Sequence, residues 1–120
     1  MIEQIEFYEC LLAGVALRRV ARRLKPGFPR KRKEGEVSVT WSTSRDRLEI
    51  GIPGAVVQTT CLADRSFTAQ TPFIQFKLLL EDRFPDDAII RLGFAPGHMK
   101  VGNIVTSSDD IRILAYEPTD

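Results

Sequence analysis

Nine cationic side chains, Arg18, Arg19, Arg22, Arg23, Lys25, Arg30, Lys31, Arg32 and Lys33, fall within residues 18–33, a stretch without a single acid. The remaining cations are scattered among the carboxylates of the rest of the chain, so a net charge of only +1 hides a strong segregation. Clustered cations raise a local positive potential that attracts phosphates or an acidic protein surface. Bound to nucleic acid, such a set would neutralise several backbone phosphates and release their counterions, giving an affinity that falls steeply with salt. Phe28 is the one aromatic interleaved with them and no base-reading motif accompanies them, so contact is expected to be independent of base sequence. A solvated helix face with a charged loop is the plain structural alternative, and docking onto an acidic protein is the other functional one.

Other reactive residue types are sparse. His98 is the only histidine, beside Gly97 in a turn, with no cysteine or carboxylate at ligand spacing; general-base work needs oriented partners, so a surface role is expected. The pairs Asp86-Asp87 and Asp109-Asp110 carry carboxylates that a Mg²⁺ site could use, but adjacent acids in turns more often cap a neighbouring segment. No Gly-rich phosphate loop, H-E-x-x-H or G-x-S-x-G occurs. The expectation is a non-catalytic protein without a cofactor or metal. Cys10 and Cys61 have no C-x-x-C or Cys/His spacing and read as buried free thiols of a reducing compartment.

The elements that would position these residues follow from periodicity. At 120 residues, 43% apolar and 28% charged, the chain suits one soluble domain spanning 1–120 with its own core. The acidic start MIEQIEF is unlike a basic signal-peptide leader and no apolar run approaches the ~20 residues of a bilayer span, so a cytoplasmic protein with no membrane partner is expected. Residues 3–7 suit a short strand or a lead into a helix. Cys10, Ala13, Gly14, Leu17, Val20, Ala21 and Leu24 recur at helical spacing and predict a helix over 8–25, with Arg18, Arg19, Arg22 and Arg23 off its buried stripe. Pro26 and Gly27 end it, and 26–35, PGFPRKRKEG, reads as a flexible basic loop extended by self-repulsion.

Val37, Val39 and Trp41, then Leu48, Ile50 and Ile52, alternate with polar residues on either side of a turn at 44–46, which predicts a hairpin, with Trp41 as packing. Beyond Pro53-Gly54, residues 55–62 read as a strand of the same sheet, and 66–70 as another. Thr71 and Pro72 suit the N-cap and first turn of a second helix reaching about Arg83, with Phe73, Phe76, Leu79 and Leu80 on one face. Strands are expected at 88–94, 98–106 and 111–116, then a frayed tail from Glu117. The short first and last strands offer edges that a neighbouring subunit could pair with.

Each half thus reads as a helix, a hairpin whose second arm is RLEIGI or HMKVGN, and one more strand, a tandem of helix-plus-β units in an α+β fold with two helices on antiparallel sheet. The stretch FTAQTPFIQFKLLLEDRFPDDAIIRLGFAPGHMKVGNIVTSS, with Phe67-Thr68-Ala69, 76–80, 84–87, 89–94 and 99–102 in that order, resembles one domain of the DNA sliding clamps, the bacterial beta clamp and the archaeal and eukaryotic processivity factors. The resemblance implies a DNA-clamp-like domain of a ring built from six such units, whose helices face a central hole and touch DNA phosphates through basic side chains. It also implies that a one-domain chain either rebuilds the ring as a homo-oligomer, a hexamer, or lacks a ring altogether. A protein-interaction module or subunit of a larger complex is the alternative use of the same fold.

Overall fold

The computed structural model describes residues 5–81 and 84–118. In chain order these form β1 (Tyr8–Ala13), α1 (Gly14–Leu24), β2 (Ser38–Ser44), β3 (Arg47–Ile52), β4 (Ala55–Thr60), β5 (Leu62–Ala63), β6 (Phe67–Pro72), α2 (Phe73–Glu81), β7 (Ile89–Ala95), β8 (His98–Val101), β9 (Ile104–Ser107) and β10 (Arg112–Tyr116). Two 3-10 segments, Lys25–Gly27 and Lys31–Glu36, add to the two expected helices. The class is α+β, but the strands make two antiparallel sheets rather than one, in the orders β5-β1-β7-β8-β9 and β10-β6-β2-β3-β4.

The two halves are interlocked. Each helix is preceded by a strand, and that strand joins the sheet built by the other half: β1 pairs with β7 through Cys10↔Leu92, and β6 pairs with β2 through Trp41↔Ala69. Neither sheet is complete without a strand from the other half, so one core serves both. In β2 and β3 the period-two pattern buries Val39, Trp41, Leu48, Ile50 and Ile52, as expected for strands with one covered face. Trp41 stacks 5.2 Å from Phe94 of β7 and 5.5 Å from Phe76 of α2, so a single aromatic cluster joins both sheets to the second helix. Pro53-Gly54 turns β3 into β4 with φ +86° at Gly54, and Pro96-Gly97 turns β7 into β8 with φ +81° at Gly97. Proline followed by a positive-φ glycine is the residue order a type II turn requires.

Several boundaries differ from the sequence reading, each for a non-local reason. Residues 8–13 form a strand, and the helix begins only at Gly14. Cys10 and Leu12 face inward at period two, and hydrogen bonds to β5 and β7 on both sides outweigh the helical spacing that Cys10 shares with Ala13 and Leu17. Consequently β1 is internal and offers no edge, whereas β10 does lie at a sheet edge. Thr71 and Pro72 close β6 rather than capping α2: Thr71 pairs with Val39, and its hydroxyl oxygen accepts from the Trp41 indole N–H. The expected helix end at Asp82 and Arg83 lies outside the described residues.

The predicted 55–62 strand breaks at Cys61, with β4 in one sheet and β5 in the other. The Cys61 and Ala63 N–H groups are taken by the Asp46 and Arg45 carbonyls, which bends the chain across. Likewise 98–106 is a hairpin, turned where Gly102 adopts φ +60°. Glu117, expected to fray, accepts a hydrogen bond from the Ser66 N–H at 3.1 Å and pairs with Arg45, while residues 119–120 lie outside the described set.

Candidate nucleic-acid interface

α1 sets four of the nine cations. Its buried stripe, Leu17, Val20 and Leu24, fixes the helix roll, which leaves Arg18 and Arg22, then Arg19 and Arg23, as two exposed i,i+4 columns. The helix N-terminus lacks a side-chain cap. Instead, the Gly14 and Val15 N–H groups donate to the Ala88 and Asp86 carbonyls at 2.8 and 3.3 Å, so the loop of residues 84–88 supplies the acceptors. Arg18 fastens that loop from its other side, donating to the Phe84 carbonyl at 2.9 Å and pairing with the Asp86 carboxylate. Arg22 and Arg23 fall in the last turn, where the helix dipole favours cations.

The following basic segment is folded where a loop was expected. Lys25–Gly27 and Lys31–Glu36 are 3-10 turns, closed by Phe28 N–H to the Lys25 carbonyl (3.1 Å) and Lys33 N–H to the Arg30 carbonyl (2.7 Å). Two anchors hold it. Phe28 packs edge-on against Phe73 and Phe76 at 5.1 and 6.0 Å, so the one aromatic among the cations belongs to the core and offers no stacking platform. Glu34 binds Lys77 of α2 through both carboxylate oxygens, at 3.1 and 3.2 Å.

All nine cations are exposed. Of these nine, only Arg18, with Asp86, and Lys33, with Glu36 at 3.5 Å, take part in ion pairs among the described residues. Both pairs are solvent-exposed and therefore weak. The remaining seven cations have no ion pair among the described residues. Sequence reasoning did not single out Arg47, the first residue of β3, yet β3 and β4 bring it beside α1. Arg19, Arg23, Arg47, Gln58, Thr59 and Thr60 line one groove of about 300 Å³. No local signal marks Arg47; its place is set by β3 pairing with β4, in which it lies opposite Thr60.

The other candidates are engaged structurally. His98 Nδ1 lies 3.0 Å from Ser107 Oγ across the β8–β9 pair. Asp86 serves the start of α1, and the Asp110 N–H binds Ser108 Oγ at 3.3 Å within a turn. Among the described residues no three His, Cys, Asp or Glu side chains gather as metal ligands. Cys10 and Cys61 are both buried, with the Cys61 thiol donating to the Ser44 carbonyl at 3.8 Å; the neighbouring Cys61 thiol and burial push the Cys10 thiol far above its ordinary pKa. α2 differs from α1: Ile74 and Leu78 are exposed, and Leu78, Leu79, Met99, Val101 and Ile104 line a cleft of about 200 Å³ against β8 and β9. No helix among the described residues is long and apolar enough to cross a membrane.

Compared with known proteins, the chain matches no family model, no curated protein and no solved structure.

Proposed function

We propose that this chain is a non-catalytic, sliding-clamp-like domain that self-associates and holds nucleic acid by its phosphates, without reading bases. The observation that carries the reading is the exposed row of cations over 18–33, seven of which have no ion pair among the described residues. Self-repulsion within such a row costs stability, and a polyanion relieves it. Its backbone is ordered by Phe28 and Glu34, so less conformational entropy is lost on binding than for a free loop. Arg18, Arg19, Arg22, Arg23, Lys25, Arg30, Lys31, Arg32 and Lys33 are the proposed phosphate contacts. Self-association is supported by the outer strands β4 and β9, which hold equivalent places in the two halves and expose Val56, Ile104 and Val105. Joining β4 of one copy to β9 of the next would be a head-to-tail contact, the kind that closes into rings.

Solution mass by light scattering, with and without a short duplex and at two salt concentrations, tests both parts. A defined oligomer that takes up duplex only at low salt supports the proposal, with log affinity falling by about 0.9 per phosphate neutralised for each log unit of salt. A monomer indifferent to duplex overturns it.

The apolar cleft between α2 and β8–β9 favours a second reading, a protein-interaction module in which that cleft makes the specific contact and the cations dock an acidic partner. Under this reading, replacing Leu78 by Asp abolishes a stoichiometric protein complex and leaves duplex uptake unaffected.

A further inference from the structure

We infer that the groove between α1 and the β3–β4 hairpin is a seat for one phosphate group, with Arg47 completing a three-guanidinium clamp begun by Arg19 and Arg23. The inference rests on the proposed phosphate-binding function for its ligand source, a phosphodiester of the nucleic-acid backbone. Two of its three guanidiniums belong to the cation block, and the third, Arg47, is brought to them by a different element.

Arg19 and Arg23 stand one helical turn apart on the exposed side of α1, and Arg47 reaches the same groove from the first position of β3. The rest of the lining is Gln58, Thr59 and Thr60, and it holds no carboxylate. The closest acid in register is Glu49, opposite Gln58, and its carboxylate is already held by the Gln58 amide. None of the three arginines has an ion pair among the described residues. Three like charges around one concave surface repel unless an anion sits between them, and guanidinium forks match tetrahedral oxyanions with paired donors. Arg22, Lys25 and the cations at 30–33 belong to the same stretch of chain as Arg19 and Arg23, so the phosphate seated there is best supplied as one of a chain.

Two titrations of the full chain test this, one with a labelled duplex followed by anisotropy and one with inorganic phosphate followed by the amide resonances of Thr59 and Thr60. Each is run on wild type, Arg47→Gln, Arg47→Lys and the control Arg91→Gln, whose thermal midpoints establish that they are folded. The expected result is that Arg47→Gln weakens duplex binding about tenfold and lowers the salt slope by about one. Arg47→Lys recovers part of the loss, Arg91→Gln loses little, and phosphate shifts Thr59 and Thr60 only when Arg47 is present. Duplex binding unchanged by Arg47→Gln, with Thr59 and Thr60 unmoved by phosphate, overturns the groove and leaves the nucleic-acid function standing. Arg47-dependent phosphate shifts in a protein that ignores duplex support the groove and overturn the nucleic-acid source. Silence in both titrations overturns both.

Discussion

The indole N–H of Trp41 donates to the hydroxyl oxygen of Thr71 at 2.9 Å, and both residues are buried without measurable exposure. Trp41 lies on β2 and Thr71 on β6, so this one bond ties the first half of the chain to the strand that opens the second. Thr71 stays in β6, and the first N–H of α2, that of Phe73, donates instead to the Val37 carbonyl at 2.9 Å. Thr71→Val keeps the shape and strands the indole donor, which should cost about 1–3 kcal/mol, the penalty of an unpaired buried polar group. Urea unfolding followed by the fluorescence of Trp41, the sole tryptophan, measures it directly. An unchanged midpoint would show that the indole bond contributes nothing.

Gly14 opens α1 against the backbone of the 84–88 loop. A Cβ there would overlap the Pro85 carbonyl oxygen, a backbone atom that cannot swing aside. Glycine to alanine in a helix ordinarily gains up to about 1 kcal/mol. Here overlap should win, with Gly14→Ala destabilising by about 1–3 kcal/mol as in other overpacked sites. Gly35→Ala, which meets nothing within 4 Å, is the control and should leave the thermal midpoint in place.

The Cys10 and Cys61 thiols should be silent to alkylating or disulfide reagents in the native protein. Their exposures are 1% and 3%, so access decides: reaction needs a thiolate, which the neighbouring Cys61 and burial disfavour at Cys10, whereas Cys10 lowers the Cys61 pKa and Cys61 is shielded by its burial alone. The expected titre is none native and two in denaturant. A rapidly reacting native thiol would contradict the packing of β1 against β5.

Glu117 is held below its ordinary pKa, first by the hydrogen bond from the Ser66 N–H and then by Arg45. A lowered folded-state pKa means the unfolded chain binds the proton more readily. The contribution is therefore fully present above the ordinary carboxylate value of 4.5 and is lost as pH falls through the lower native value. Wild type should exceed Glu117→Gln in urea midpoint at about pH 7, and the gap should close as pH falls below 4.5 through the lowered native value. A gap that persists at acid pH would assign the effect to shape rather than charge.

Much of the local structure is legible in the chain. The alternation of Val39, Trp41, Leu48, Ile50 and Ile52 marks β2 and β3 because one sheet face is covered, and the stripe Leu17, Val20 and Leu24 marks α1 for the same reason. Where a segment satisfies two periods, as 8–13 does, local pattern cannot choose. The choice fell to β7, whose Leu92 and Phe94 sit opposite Cys10 and Tyr8. The Gly102-Asn103 turn that splits 98–106 was readable, since Gly-Asn between apolar runs is a hairpin signal.

By itself, the sequence determined the α+β class, the alternation of helices with β segments and the unbroken cation block, because these depend on near neighbours, on side-chain period and on composition. The tertiary structure alone decided that the opening strand of each half enters the other half's sheet. It also decided that Phe28 is core and that Arg47 stands beside Arg19 and Arg23. Those outcomes depend on which apolar faces meet and on which distant backbone groups satisfy one another's hydrogen bonds, and neither quantity is written in any one stretch of residues.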